Sequence, residues 1–178
     1  PWDFTRRSMR TKAWKLIETT EPDIIIGSPP CKMFSILQNL GKKTDTEERR
    51  QAMKRAISHI EFCMKIYKHQ IEKGRFFMHE HPVAASSWNL DCVRQILAMK
   101  DVTTVTTDMC MHGLVAHDSL GTNPAQKRTK LMTNSVEIAH ELCLKCDGMH
   151  HHARLLRGQA RLAERWPDEF CRAICRGI

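Results

Sequence analysis

The chain has 178 residues, enough for one domain or one domain with a small appendage. With 42% hydrophobic and 27% charged residues it reads as neither disordered, collagen-like nor membrane-spanning, and its longest apolar runs are only of strand length. Lys and Arg number 28 against 20 Asp and Glu, a net charge of +8, which suggests a polyanionic partner and no membrane. Eight Cys with no secretory leader are expected to be reduced thiols in an intracellular compartment, nucleus or cytoplasm. With ten His beside them, either a catalytic thiolate or a zinc site is open. The chain begins Pro1-Trp2 rather than with Met, so we expect a piece of something longer.

In chain order, residues 6–19 form a helix with Met9, Ala13, Trp14 and Ile17 on one stripe, stopped at Glu21-Pro22. Asp23 to Gly27 is a β-branched run of the kind found in a parallel strand buried on both faces. A polar stretch from Gly41 to Thr46 leads into a long amphipathic helix over 46–72. Gly74 ends that helix, and a strand follows over 75–79. A helix over 89–99 and a Thr/Val-rich strand over 102–107 come next, then a loop over 112–128 and a short strand over 129–133. Asn134 caps the following helix with Glu137 at its third position. The last helix, 167–176, has Pro167 at its start, Asp168 and Glu169 in its first turn, and Arg172, Arg176 and Gly177 at its end. The alternation of helices and strands is that of an α/β domain.

The sharpest feature is Gly27-Ser28-Pro29-Pro30-Cys31-Lys32-Met33-Phe34-Ser35. It follows a buried strand, and two prolines stiffen the turn that presents Cys31. Open α/β sheets bind their ligands at such carboxyl ends. Read alone, Cys31 is first a buried structural thiol after a Pro-Pro turn. The pattern Gly-x-Pro-Pro-Cys-x-x-Phe-Ser resembles the catalytic motif of the DNA (cytosine-5) methyltransferases. In that family the thiolate attacks C6 of a flipped-out cytosine.

Two more elements of that family have counterparts, in order. The strand over 75–79 runs into Glu80-His81-Pro82, similar to the family's Glu-Asn-Val/Pro element whose Glu binds cytosine N3, with His81 in place of Asn. Gln126-Lys127-Arg128-Thr129-Lys130 resembles Gln-x-Arg-x-Arg, with Lys130 replacing the last Arg. The resemblance gives Arg128 the contact with cytosine O2. Cys31 and Glu80 lie 49 residues apart, and Glu80 and Arg128 48 apart. The resemblance therefore implies catalytic Cys31, Glu80 and Arg128, with Pro29, Pro30, Phe34, Ser35, Gln126 and Lys130 at the substrate.

The same resemblance implies S-adenosylmethionine as cofactor, with Asp3, Ser28 and Pro29 as its contacts. The family's Phe-x-Gly-x-Gly loop has no counterpart, because Gly27 is the first glycine. An upstream segment or a partner chain is expected to complete that site. The large target-recognition region is also reduced, since only 48 residues follow Lys130. The chain is in this respect similar to compact methyltransferase-like domains of phages and mobile-element polyproteins.

The expected architecture is thus α/β, a partial Rossmann-like methyltransferase sheet over 1–134, followed over 135–178 by a small basic Cys/His-rich helical tail. Basic clusters at Arg6, Arg7, Arg10, Lys12 and Lys15, and at Arg154, Arg157, Arg161 and Arg165, suit DNA phosphates or simply a solvated surface. In the tail, Cys143, Cys146, His150 and His152 offer four zinc ligands, though a finger would separate its pairs by about a dozen residues. A ligand drawn from Cys110, His112, Cys171 or Cys175 is open as well. The expected activity is methyl transfer to C5 of cytosine in DNA. The alternatives are a non-catalytic nucleic-acid-binding module on the same fold, an enzyme acting on RNA, or a zinc-dependent scaffold.

Overall fold

The computed structural model describes residues 2–35, 46–155 and 159–178. Residues 41–45 of the expected polar stretch, and Arg157 of the second basic cluster, lie outside them. The fold is mixed α/β, a small sheet with a helical C-terminal end. Its elements are α1 (Arg7–Thr20), β1 (Ile24–Gly27), α2 (Glu47–Glu72), β2 (Phe76–Pro82), α3 (Asp91–Leu97), β3 (Thr103–Asp108), β4 (Val115–Asp118), β5 (Gly121–Pro124), β6 (Arg128–Thr133), α4 (Val136–Glu141), α5 (Gln159–Leu162) and α6 (Asp168–Arg176).

Among the described residues, four strands form one sheet in the order β1-β2-β6-β3. β1 and β2 are parallel, and β6 runs antiparallel to both β2 and β3. The carboxyl ends of β1, β2 and β3 and the amino end of β6 therefore share one end of the sheet. Gly27 lies beside His79, Pro82 beside Thr129, and Asp108 beside Arg128.

Strand alternation sorts the sheet residues onto two faces. Phe77 and Met132 point into a core with Ile60, Met64, Tyr67, Trp88 and Val93, covered by α1, α2 and α3. Met78 and Leu131 point into a second core with Met109, Ile138, Leu142, Phe170 and Ile174. The C-terminal helices α4 and α6 thus pack into the same body as the sheet.

Several local expectations differ from what forms. β1 is an edge strand rather than one buried on both faces, and Ile26 is 40% exposed. β2 extends through Pro82 because its pairing with β6 continues, so Glu80 and His81 lie inside a strand. The expected loop over 112–128 contains a hairpin, β4–β5. Its strands carry Asp, Gly, Asn and Pro, which mute the usual signal. Asp118 Oδ1 accepts from Leu120 N and Asn123 Nδ2 and steadies the turn. Ser135, not Asn134, caps α4, its Oγ accepting from Ile138 N at 3.2 Å. The Asn134 amide instead ties β2, accepting from Phe77 N and donating to Arg75 O.

Gly27 is required by a close approach: a Cβ there would run into the Tyr67 hydroxyl. That hydroxyl lies 3.1 Å from His79 Nδ1. No described helix is long and apolar enough to cross a membrane.

Candidate functional site

At the shared end of the sheet, Ser28, Pro29, Pro30, Cys31, Lys32, Glu80, Lys127 and Glu164 line a cavity of about 230 Å³. This is below the about 300–1,000 Å³ of a site for a drug-sized molecule, so it suits a single small ring. Cys31, in the loop after β1, and Glu80, on the adjacent parallel strand β2, both line it although 49 residues separate them.

Ser28 Oγ donates to Glu80 Oε2 at 2.5 Å. The Glu80 carboxylate is 3% exposed, and its Oε1 has no hydrogen-bond partner among the described residues; Lys127 Nζ stands 3.9 Å from it. Lys127 also donates to the Ala163 carbonyl at 3.1 Å, so the tail reaches the rim of the cavity. Cys31 is half-buried. Burial pushes its thiol above the ordinary value, Lys127 opposes that, and Glu80 and Glu164 add to it.

The loop is held from behind by His81. Its Nε2 donates to the Pro29 carbonyl at 2.9 Å, which leaves Nδ1 to accept from the Ser87 hydroxyl at 2.6 Å. Burial keeps the imidazole neutral by lowering its pKa, and a neutral ring can fill both roles at once. Phe34 is buried against His81, with ring centroids 5.9 Å apart. Phe34 therefore anchors the loop and does not line the cavity; Ser35 is half-buried next to it.

The third motif divides among three places. Arg128 Nε donates to Asp108 Oδ1 at 3.1 Å, and Gln126 bonds the same carboxylate. Lys130 lies over the Trp88 ring at 4.8 Å, on the first core. Lys127, which the motif reading passed over, is the cation of this motif that lines the cavity.

On the other side of Ser28 and Pro29 lies a more apolar cleft of about 480 Å³, lined by Trp2, Phe4, Ile25, Ile26, His59 and Tyr67 among others. Two residues thus separate a small polar cavity from a larger apolar one. The Asp3 carboxylate is turned to its own chain, accepting from Thr5 N and Oγ1 at 3.0 and 2.6 Å.

A second cluster gathers Cys110, Cys146, His150 and His152, whose ligand atoms all lie within 4.8 Å of one another. It could hold a metal ion. Cys146 Sγ is 3.6 Å from His150 Nε2 and 3.3 Å from His152 Nε2. The Cys110 thiol is pushed up to about 11 by burial and by the adjacent Cys146. Cys143 is exposed and outside this group; Cys110, at the end of β3, completes it. His112, Cys171 and Cys175 are also outside it.

No family model matches the chain, and no curated protein or solved structure matches it either.

Proposed function

We propose that the protein is a DNA (cytosine-5) methyltransferase, or the substrate-side part of one on a partial Rossmann-like sheet. The observation that carries this reading is the meeting of Cys31 and Glu80 in one cavity at the carboxyl ends of two parallel strands. A thiol there is placed to add to C6 of a cytosine taken out of the stack, forming an S–C6 bond as the C5–C6 electron pair moves to C5. Glu80 Oε1, buried and without a hydrogen-bond partner among the described residues, is the group to meet N3 and stabilise the charge that builds on the ring. Of the basic residues in the third motif, Lys127 lines the cavity, and we assign it the O2 contact expected of Arg128. Because burial favours the protonated thiol, Lys127 also supports formation of the Cys31 thiolate.

S-adenosylmethionine, when bound, supplies the methyl group that C5 accepts. The apolar cleft beside Ser28 and Pro29 fits the flat, poorly charged part of that cofactor, and Trp2, Phe4, Ile26 and Pro29 would hold it. Solvent water then takes the C5 proton, the C5–H electron pair re-forms the C5–C6 double bond, and the S–C6 bond breaks to release Cys31 as a thiolate. DNA is the polyanion that the +8 charge would attract. In the Cys/His cluster, two thiolates and two imidazoles are an ordinary tetrahedral donor set for zinc, and we infer that zinc is its metal.

The raised Cys31 thiol also favours a second reading, a DNA-binding module with no turnover. One experiment separates the two without the methyl donor. Addition of Cys31 to C6 alone makes C5 basic, so the C5 hydrogen of cytosine in DNA should exchange with heavy water. Exchange by the native chain, lost about 10⁴-fold or more in Cys31→Ala, is expected. Equal exchange by the variant, or none by the native chain, would overturn the enzyme reading.

A further inference from the structure

We propose that Cys110, Cys146, His150 and His152 form a closed structural zinc clamp that holds Lys127 in the Cys31–Glu80 cavity. The inference rests on the zinc reading above but not on methyl transfer.

The geometry of the four donors comes first. Zinc lies about 2.3 Å from sulfur and about 2.0–2.1 Å from nitrogen, so a tetrahedral S–N edge is about 3.5 Å. The two Cys146–histidine separations, 3.6 and 3.3 Å, bracket that value. The backbone around Cys146 is shaped for a thiolate. Gly148 adopts φ +76°, a conformation glycine takes without strain, and turns its N–H onto Cys146 Sγ at 3.3 Å. Four protein ligands leave no open position, which distinguishes a structural from a catalytic zinc.

The second argument is connectivity. Cys110 follows Met109, whose N–H donates to the Lys127 carbonyl at 3.2 Å. Before it, Asp108 N–H donates to the Leu144 carbonyl at 2.9 Å, and Asp108 Oδ2 accepts from Cys146 N–H at 3.0 Å. Asp108 Oδ1 holds Arg128, the neighbour of Lys127. Asp108 thus bridges Cys146 and Arg128 through its two carboxylate oxygens. From the far side, Ala153 N–H donates to the Pro124 carbonyl at 2.8 Å, and His151 meets Asp118 at 2.8 Å. The segment 144–153 is thus laced to the end of β3, the start of β6 and the β4–β5 hairpin. A metal joining Cys110 to residues 146–152 closes those links into one unit. The backbone of Lys127 is bonded to that unit, and its ammonium reaches the tail at Ala163.

Metal content and hydrogen exchange on the full chain test this together. We expect one zinc per chain as purified, and cobalt(II) put in its place should give the intense visible bands of a tetrahedral site with thiolate ligands. Cys110→Ser should weaken binding by more than the about 10–100-fold that loss of an outer partner costs, while Cys143→Ser keeps the metal. Chelation of the native chain, which needs no variant to fold, should speed amide exchange at Met109, Cys146 and Ala153 and leave α2 unchanged. No zinc or cobalt binding, or full binding by Cys110→Ser with loss in Cys143→Ser, would overturn the site. Zinc that leaves with exchange at Met109 unchanged would overturn the clamp and spare the zinc.

Discussion

The two faces of the sheet are built by different means. One is covered by α1 and the 26-residue α2, whose apolar stripes run for several turns and bury Ile60, Met64 and Tyr67. The other is covered by a hairpin of four-residue strands and by α4 and α6, of six and nine residues. Helices this short have little stability of their own. They hold because Phe170, Ala173 and Ile174 are buried against Met109, Leu131 and Ile138, and because Arg176 pairs with Glu141 and Glu169 at 2.8 and 2.9 Å. The first face is strongly patterned along the chain. The second depends on contacts between distant segments, and there the metal cluster would matter most.

Three measurements would break or sharpen that contrast. The largest effect is expected at the second core. Phe170 is fully buried, so Phe170→Ala should cost about 3–5 kcal/mol in urea unfolding and loosen the segment carrying Cys146. A loss under about 1 kcal/mol would mean that α6 is an appendage. Next is the cavity that both faces share. Glu80→Gln keeps the shape and removes the charge, and C5 exchange should fall about 10²-fold, near 2.7 kcal/mol, with stability little changed. An unchanged rate would take Glu80 out of the chemistry. The smallest belongs to the first face. His79, fully buried against Tyr67 and His81, has its pKa lowered well below the ordinary value by burial first and by His81 second. Below pH about 6.5 the unfolded chain binds a proton that the folded chain does not. Stability present above that pH should therefore be lost as pH falls, His79 contributing up to about 1.4 kcal/mol per pH unit and His59, His81 and His112, whose pKa values burial also lowers, adding with the same sign. A urea midpoint constant from about pH 7 to about 5 would show that His79 titrates alike in both states.

Legibility followed the range of the interaction. The ends of α1, α2 and α6 fall within a residue or so of expectation because caps, proline and periodicity act within a few residues. The Pro29-Pro30-Cys31 turn is of the same kind. His81 was legible as a departure from Asn, but not as the donor that holds Pro29. In the third motif Lys127, and not Arg128, lines the cavity. Neighbouring residues at a strand end point opposite ways, so the register with β2 and β3 decides that Lys127 faces Glu80 while Arg128 turns to Asp108. The β4–β5 hairpin is faint in the sequence because each strand is only four residues long and the pair carries Asp, Gly, Asn and Pro.

By itself, the sequence determined an α/β alternation, a stiff turn presenting a thiol at a strand end, an acid on the next core strand and a Cys/His-rich tail. Each of these is local, set by side-chain shape, backbone restriction or spacing along one segment. The tertiary structure alone decided the finer choices of which residues share a space: Lys127 rather than Arg128 in the cavity with Glu80 and Cys31, and Cys110 rather than Cys143 beside Cys146, His150 and His152. Those choices are made by strand order and by the path of the tail across the second face. Cys110 meets Cys146 because β3 ends where that tail returns, a coincidence of two chain paths that no spacing along the sequence encodes.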